Sequence, residues 1–120
     1  MESYGKDLIC AFTELLSQLR ILHWQTKSFA RHIAYEKVYD SLEDYADDFI
    51  EIYQGKHGRI RLSCQPQLFN VDEDIENFID NHINYLSNDL PITEDDVDLL
   101  AIRDEMVGQL NKLKYLLTLD

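Results

Sequence analysis

The chain has 120 residues, 23 acidic and 11 basic, for a net charge of −12. That length suits one hydrophobic core, so a single domain over residues 1–120 is expected. The negative field disfavours binding to nucleic acid phosphates and concentrates cations. No signal-peptide pattern is evident, nor an apolar run near the roughly 18 residues of a membrane span, so the reading is a soluble cytoplasmic protein. Cys10 and Cys64 have no metal-finger spacing and read as isolated reduced thiols.

Four glycines, two prolines and apolar residues recurring every three or four positions predict an all-α fold, a four-helix bundle. The first helix is expected from about Ser3 to Lys27, with Leu8, Phe12, Leu15, Leu19 and Leu22 as one stripe. The second covers about His32 to Gln54 and ends near Gly55. Gly58 and Pro66 mark a connection long enough to cross the length of a helix, and periodicity leaves open whether the bundle is up-down-up-down or has one long crossover. The third helix is expected to start at Asn70, with Glu73 completing its cap, and to bury Ile75, Phe78, Ile79, His82 or Ile83, and Leu86. Pro91 closes it. Thr93 is the expected cap of the fourth, whose inner stripe reads Val97, Leu100, Val107, Leu110, Leu113 and Leu117.

The second helix carries an unusual face. On a wheel with His32 at zero, Glu43, Glu36, Asp47 and Glu51 fall at about 20°, 40°, 60° and 100°. They border the apolar arc of Tyr35, Leu42, Ala46, Phe49 and Tyr53, whereas a purely solvated stripe would oppose it. If the first two helices turn back around Lys27 and Ser28, His23 comes level with His32. Two imidazoles and a carboxylate suit iron, manganese or zinc better than calcium or magnesium. Glu36 and Asp47 are separated by about 16 Å of helical rise, too far to share an ion within one chain. A second, antiparallel copy of the same helix would bring Asp47 and Glu51, an i, i+4 pair, opposite His23, His32 and Glu36. The last two helices contain no Glu-x-x-His, which argues against a di-iron site inside the monomer's bundle.

At these positions, His23-Trp24, His32, Glu36 and the Asp47-x-x-x-Glu51 pair, the sequence resembles the Dps family of mini-ferritins over about residues 15–56. The segment "HWQTKSFARH" is also similar to short, largely phage- and virus-encoded Dps-like proteins. The resemblance implies a ferritin-like four-helix bundle with a long connection between its second and third helices. It implies ferroxidase centres between subunits, using peroxide or oxygen, and host cytoplasm as the location for a phage or virus protein. By the same resemblance, metal ligands are His23, His32 and Glu36 from one subunit and Asp47 and Glu51 from another. The cofactor is iron, as a di-iron pair, with manganese or zinc as alternatives. The partner is a second copy through the second helix, as a homodimer or a larger cage. The Lys-rich tail with which some members bind DNA is missing.

The leading expectation is therefore an iron-binding protein that oxidises Fe(II) for detoxification or storage. The alternative, from another class, is a noncatalytic helical scaffold whose acidic face meets a partner or holds a structural metal. A hydrolase on the same metal site is weaker, since no separate nucleophile is evident. Trp24 reads as packing or as protection of a metal centre, Glu43 as solvated or supporting, and Tyr39 as packing or as a donor to a ligand carboxylate. His57 and His82 receive no role.

Overall fold

The computed structural model describes residues 7–71 and 74–119. The described residues form four α-helices and contain no strand. Asp7 caps α1 (Leu8–Gln25) by accepting from Cys10 N at 2.6 Å, and Ser28 caps α2 (Phe29–His57) by accepting from Arg31 N at 3.2 Å. Only Thr26, Lys27 and Ser28 separate these helices, so α1 and α2 are antiparallel neighbours. Gly58, at φ 98°, ends α2 in a conformation that favours glycine. Gly55 lies inside the helix rather than at its end.

The connection between α2 and α3 is a long crossover laid along α1. Ser63 donates to Asp7, Gln67 N to Glu14 Oε1, Phe69 N to Gln18 Oε1 and Val71 N to Gln25 Oε1. Residues 63–71 thus advance beside residues 7–25 in order. Eight extended steps at about 3.3 Å and eighteen helical steps at about 1.5 Å each span about 27 Å, so the registers match. The extended strap cannot form its own backbone ladder, and the polar side chains of α1 take its N–H groups instead. Gln18, fully buried, also donates to Phe69 O at 2.8 Å.

This crossover returns the chain to the end of α1 from which α2 began. Consequently α3 (Ile75–Asn84) runs antiparallel to α1, and α4 (Val97–Leu116) returns antiparallel to α2. The N-cap of α3 is Asp74, accepting from Asn77 N at 3.1 Å, not Asn70. Asn70 is instead engaged with Gln25 at 2.8 Å, while Ser3 and Glu73 of the sequence expectation lie outside the described residues. One π-helical turn, Tyr85–Asp89, follows α3. Thr93 forms a turn with Asp95 and Asp96 rather than capping α4, which starts after Asp96.

The core is drawn from all four helices. Leu8, Leu15, Leu19 and Leu22 of α1 are almost fully buried, as are Tyr35, Val38, Leu42 and Phe49 of α2 and Ile79 of α3. On α4 the buried face is Leu99, Met106, Leu110 and Leu113, whereas Val97 is 70% exposed. The later start of α4 leaves Val97 in its first turn, outside the stripe facing α2. Cys10 and Cys64 are joined by a disulfide, their Cα atoms 6.0 Å apart. The reading of isolated reduced thiols is corrected: the strap carries Cys64 back to the buried face of α1. No helix among the described residues is long and apolar enough to cross a membrane.

Candidate metal centre

His23 stands in the last turn of α1 and His32 in the first turn of α2. The last carbonyls of a helix have no intrahelical partner, and that of His23 is supplied by the facing histidine: His32 Nδ1 donates to His23 O at 2.8 Å. His23 Nδ1 donates in return to His32 O at 2.9 Å. Because a carbonyl oxygen can only accept, both Nδ1 atoms must carry the proton. In the neutral rings both Nε2 atoms therefore keep a lone pair. The rings are stacked, centroids 3.8 Å apart and planes inclined by 18°.

Glu36 lies one turn beyond His32 on α2, more than half exposed, with Oε1 3.8 Å from His23 Nε2. That separation is too long for a hydrogen bond. One ligand atom from each of His23, His32 and Glu36 falls within 4.8 Å of the others, the only such group among the described residues. Ligand atoms about 2.1 Å from a common ion are separated by roughly 3 to 4.2 Å, so holding one ion requires the group to contract and the two stacked rings to turn their Nε2 atoms toward each other. A backbone carbonyl holding the far ring nitrogen is also how metal-binding histidines are commonly oriented.

The surroundings carry both signs of charge. Arg20, His23, Glu36 and Tyr39 line a hole of about 10 Å³, close to the size of one water. The Arg20 guanidinium lies 4.2 Å over the Tyr39 ring, and its bonding to Tyr39 raises its pKa, with further support from Glu43 and Asp40. Tyr39 donates to Glu43 Oε2 at 3.4 Å, placing Glu43 in the same polar fringe. Trp24 is 69% exposed rather than packed in the seam.

Asp47 and Glu51 lie farther along α2, both exposed, and are not in this group. The chain brings three of the five candidate residues together and leaves the other two three to four turns away. Two histidine pairs escaped the sequence reading altogether. His82 Nε2 lies 3.1 Å from Glu14 Oε2, both side chains buried, and His57 Nε2 lies 2.9 Å from Asp96 Oδ1. Their separations of 68 and 39 residues give no local spacing to find them by.

A family profile described as "Family of unknown function (DUF5856)" matches residues 23–117, a span that contains all five candidate ligands. The chain belongs to this family. It is 33% identical over 101 residues to an uncharacterised 14.6 kDa protein from the mobD-ri intergenic region of Enterobacteria phage T4, covering 82% of this chain and 75% of the phage protein. No solved structure matches. Neither family nor relative is a Dps or ferritin-like protein by description, so the Dps resemblance is corrected. The short His-Trp and His-to-Glu spacings behind it do not by themselves place a chain among the mini-ferritins.

Proposed function

We propose that the protein binds iron through His23, His32 and Glu36 and oxidises Fe(II), with peroxide or oxygen as electron acceptor, for iron detoxification or storage. The observation that carries this reading is the reciprocal histidine clasp, which presents two Nε2 lone pairs beside a carboxylate. Two imidazoles and one carboxylate with open positions form a donor set that suits Fe(II). Manganese and zinc are the alternative ions. The single long crossover supports a ferritin-like bundle arrangement.

Three ligands leave room for more, and the surface beside them is suited to a second copy. Trp24, Phe29 and Ile33 are 69%, 78% and 46% exposed and flank the two histidines along the chain. Exposed aromatic and aliphatic side chains beside a polar site are typical of an interface core. An antiparallel pairing of α2 helices would bring the partner copy's Asp47 and Glu51 to the centre. Two bound Fe(II) would then each lose one electron, together reducing one peroxide to two hydroxides.

The test is Fe(II) oxidation by metal-free protein beside an Asp47→Ala, Glu51→Ala double variant. Turnover above the iron-only control, lost in the folded double variant, is the expected result. No turnover, or equal turnover in both proteins, would shift the reading to a noncatalytic helical scaffold.

A further inference from the structure

A second polar site lies at the other end of the bundle, where the π-helical turn follows α3. A cavity of about 280 Å³ is lined by Glu14, Asn81, His82, Asn84, Tyr85 and Asp89, with the Phe78 ring as an apolar wall. Positions 78, 81, 82, 85 and 89 recur at three- and four-residue spacing, so α3 and its π turn present one continuous face to it. Single π turns are often found at functional sites because the extra residue redirects the side chains that follow.

The lining has a definite chemistry. Glu14 and His82 are buried and held to each other at 3.1 Å, and Gln67 N donates to the other Glu14 oxygen. The side chains of Asp89 and Asn81 make no ion pair or hydrogen bond with any described residue. Asn84 Oδ1 accepts from Asn88 Nδ2 at 2.7 Å. Burial, with Asp7 and Asp89 nearby, pushes the Tyr85 phenol above its ordinary range, so it remains a neutral hydroxyl. Among the described residues, no lysine or arginine lines the cavity.

A bare metal ion is a poor match, because these carboxylates and the imidazole do not converge as a ligand cluster among the described residues. Donors spread around a wall suit a ligand of several atoms. From this cavity we infer that the protein binds a small organic cation, an aliphatic amine whose ammonium group meets Asp89 and the asparagine carbonyls while its methylenes lie against Phe78. An ammonium group offers three donors and no acceptor, which answers an acceptor-rich lining. The protein's acidic field raises the local concentration of such ligands.

The test is a ¹H–¹⁵N NMR titration of the full chain with 1,4-diaminobutane, beside the neutral isostere butane-1,4-diol at matched ionic strength. Saturable shifts confined to residues 78–89 and the Asn81 and Asn84 side-chain amides are expected with the diamine, and none with the diol. Asp89 is exposed, so Asp89→Asn should remain folded and bind roughly tenfold more weakly, the equivalent of about 1.4 kcal/mol. Non-saturating shifts over all acidic surfaces, equal shifts with the diol, or unchanged affinity in Asp89→Asn would each overturn the inference.

Discussion

His23 and His32 hold each other by crossed hydrogen bonds, each Nδ1 donating to the other's carbonyl at 2.9 and 2.8 Å. The clasp closes the α1–α2 corner and fixes the tautomer of both rings. Structure and candidate chemistry therefore share the same two residues. Replacing either histidine by alanine should remove one clasp bond and cost about 1 kcal/mol in urea unfolding. Glu36 makes no hydrogen bond in the clasp, so Glu36→Gln should leave stability unchanged while weakening Co(II) or Zn(II) binding by on the order of tenfold or more. Calorimetric titration of both variants separates these effects.

Asp96 supports the opposite end of the bundle. It accepts from Lys56 at 2.8 Å, His57 at 2.9 Å and Thr93 N at 3.0 Å. The Lys56 ammonium chiefly, with the Thr93 N–H and His57, holds its carboxyl well below the ordinary 3.8. A depressed folded-state pKa contributes stability that is fully present above the unfolded value and is lost as pH falls toward the folded one. Thermal melts should therefore show the wild type losing stability below about pH 4. Asp96→Asn should be less stable at neutral pH and should lose less on acidification. Parallel pH dependence in both proteins would rule out this role for Asp96.

The disulfide ties the strap to α1 across a sequence separation of 54 residues. Closing a loop of that length restricts the unfolded chain by about 4 kcal/mol in the chain-entropy treatment. Reduction, or Cys64→Ser, should lower the melting temperature by roughly 10 to 20 °C. Thiol titration of the denatured, unreduced protein should find neither Cys10 nor Cys64 reactive.

Glu14 and His82 form a buried pair that joins α1 to α3, and Glu14 also accepts from the strap. Removing one partner leaves the other polar group buried without its counterpart. Glu14→Ala should cost about 3 kcal/mol or more in urea unfolding. Glu94→Ala, at an exposed position, serves as the surface control and should change stability by only a few tenths of a kcal/mol.

The helical class was legible because the Leu8, Leu15, Leu19 and Leu22 stripe and the Tyr35, Val38, Leu42 and Phe49 face repeat at helical spacing. The juxtaposition of His23, His32 and Glu36 was legible for a related reason: a three-residue turn brings His23 and His32 level, and Glu36 is one turn from His32. Element ends were less legible. Asn70 and Asp74 are both good caps, and only the contact between Gln25 and Asn70 decides between them. Asp96, Thr93 and the first residues of α4 pose the same ambiguity, which shifted the inner stripe toward Leu99 and Met106. The Cys10–Cys64 bond and the Glu14–His82 pair depend on how the strap and α3 return to α1, information that local periodicity does not contain.

The clasp leaves both Nε2 atoms unprotonated in the neutral rings and available to a metal ion. Long-range ¹H–¹⁵N NMR of the histidine rings, recorded at neutral pH before and after adding one equivalent of Zn(II), tests it directly. Expected are the Nδ1–H tautomer for His23 and His32 in metal-free protein, large ¹⁵N shifts at both Nε2 atoms on zinc addition, and loss of that response in Glu36→Gln, Asp47→Ala, Glu51→Ala protein at low zinc. Nε2–H tautomers, or rings whose Nε2 resonances do not respond to zinc, would contradict it.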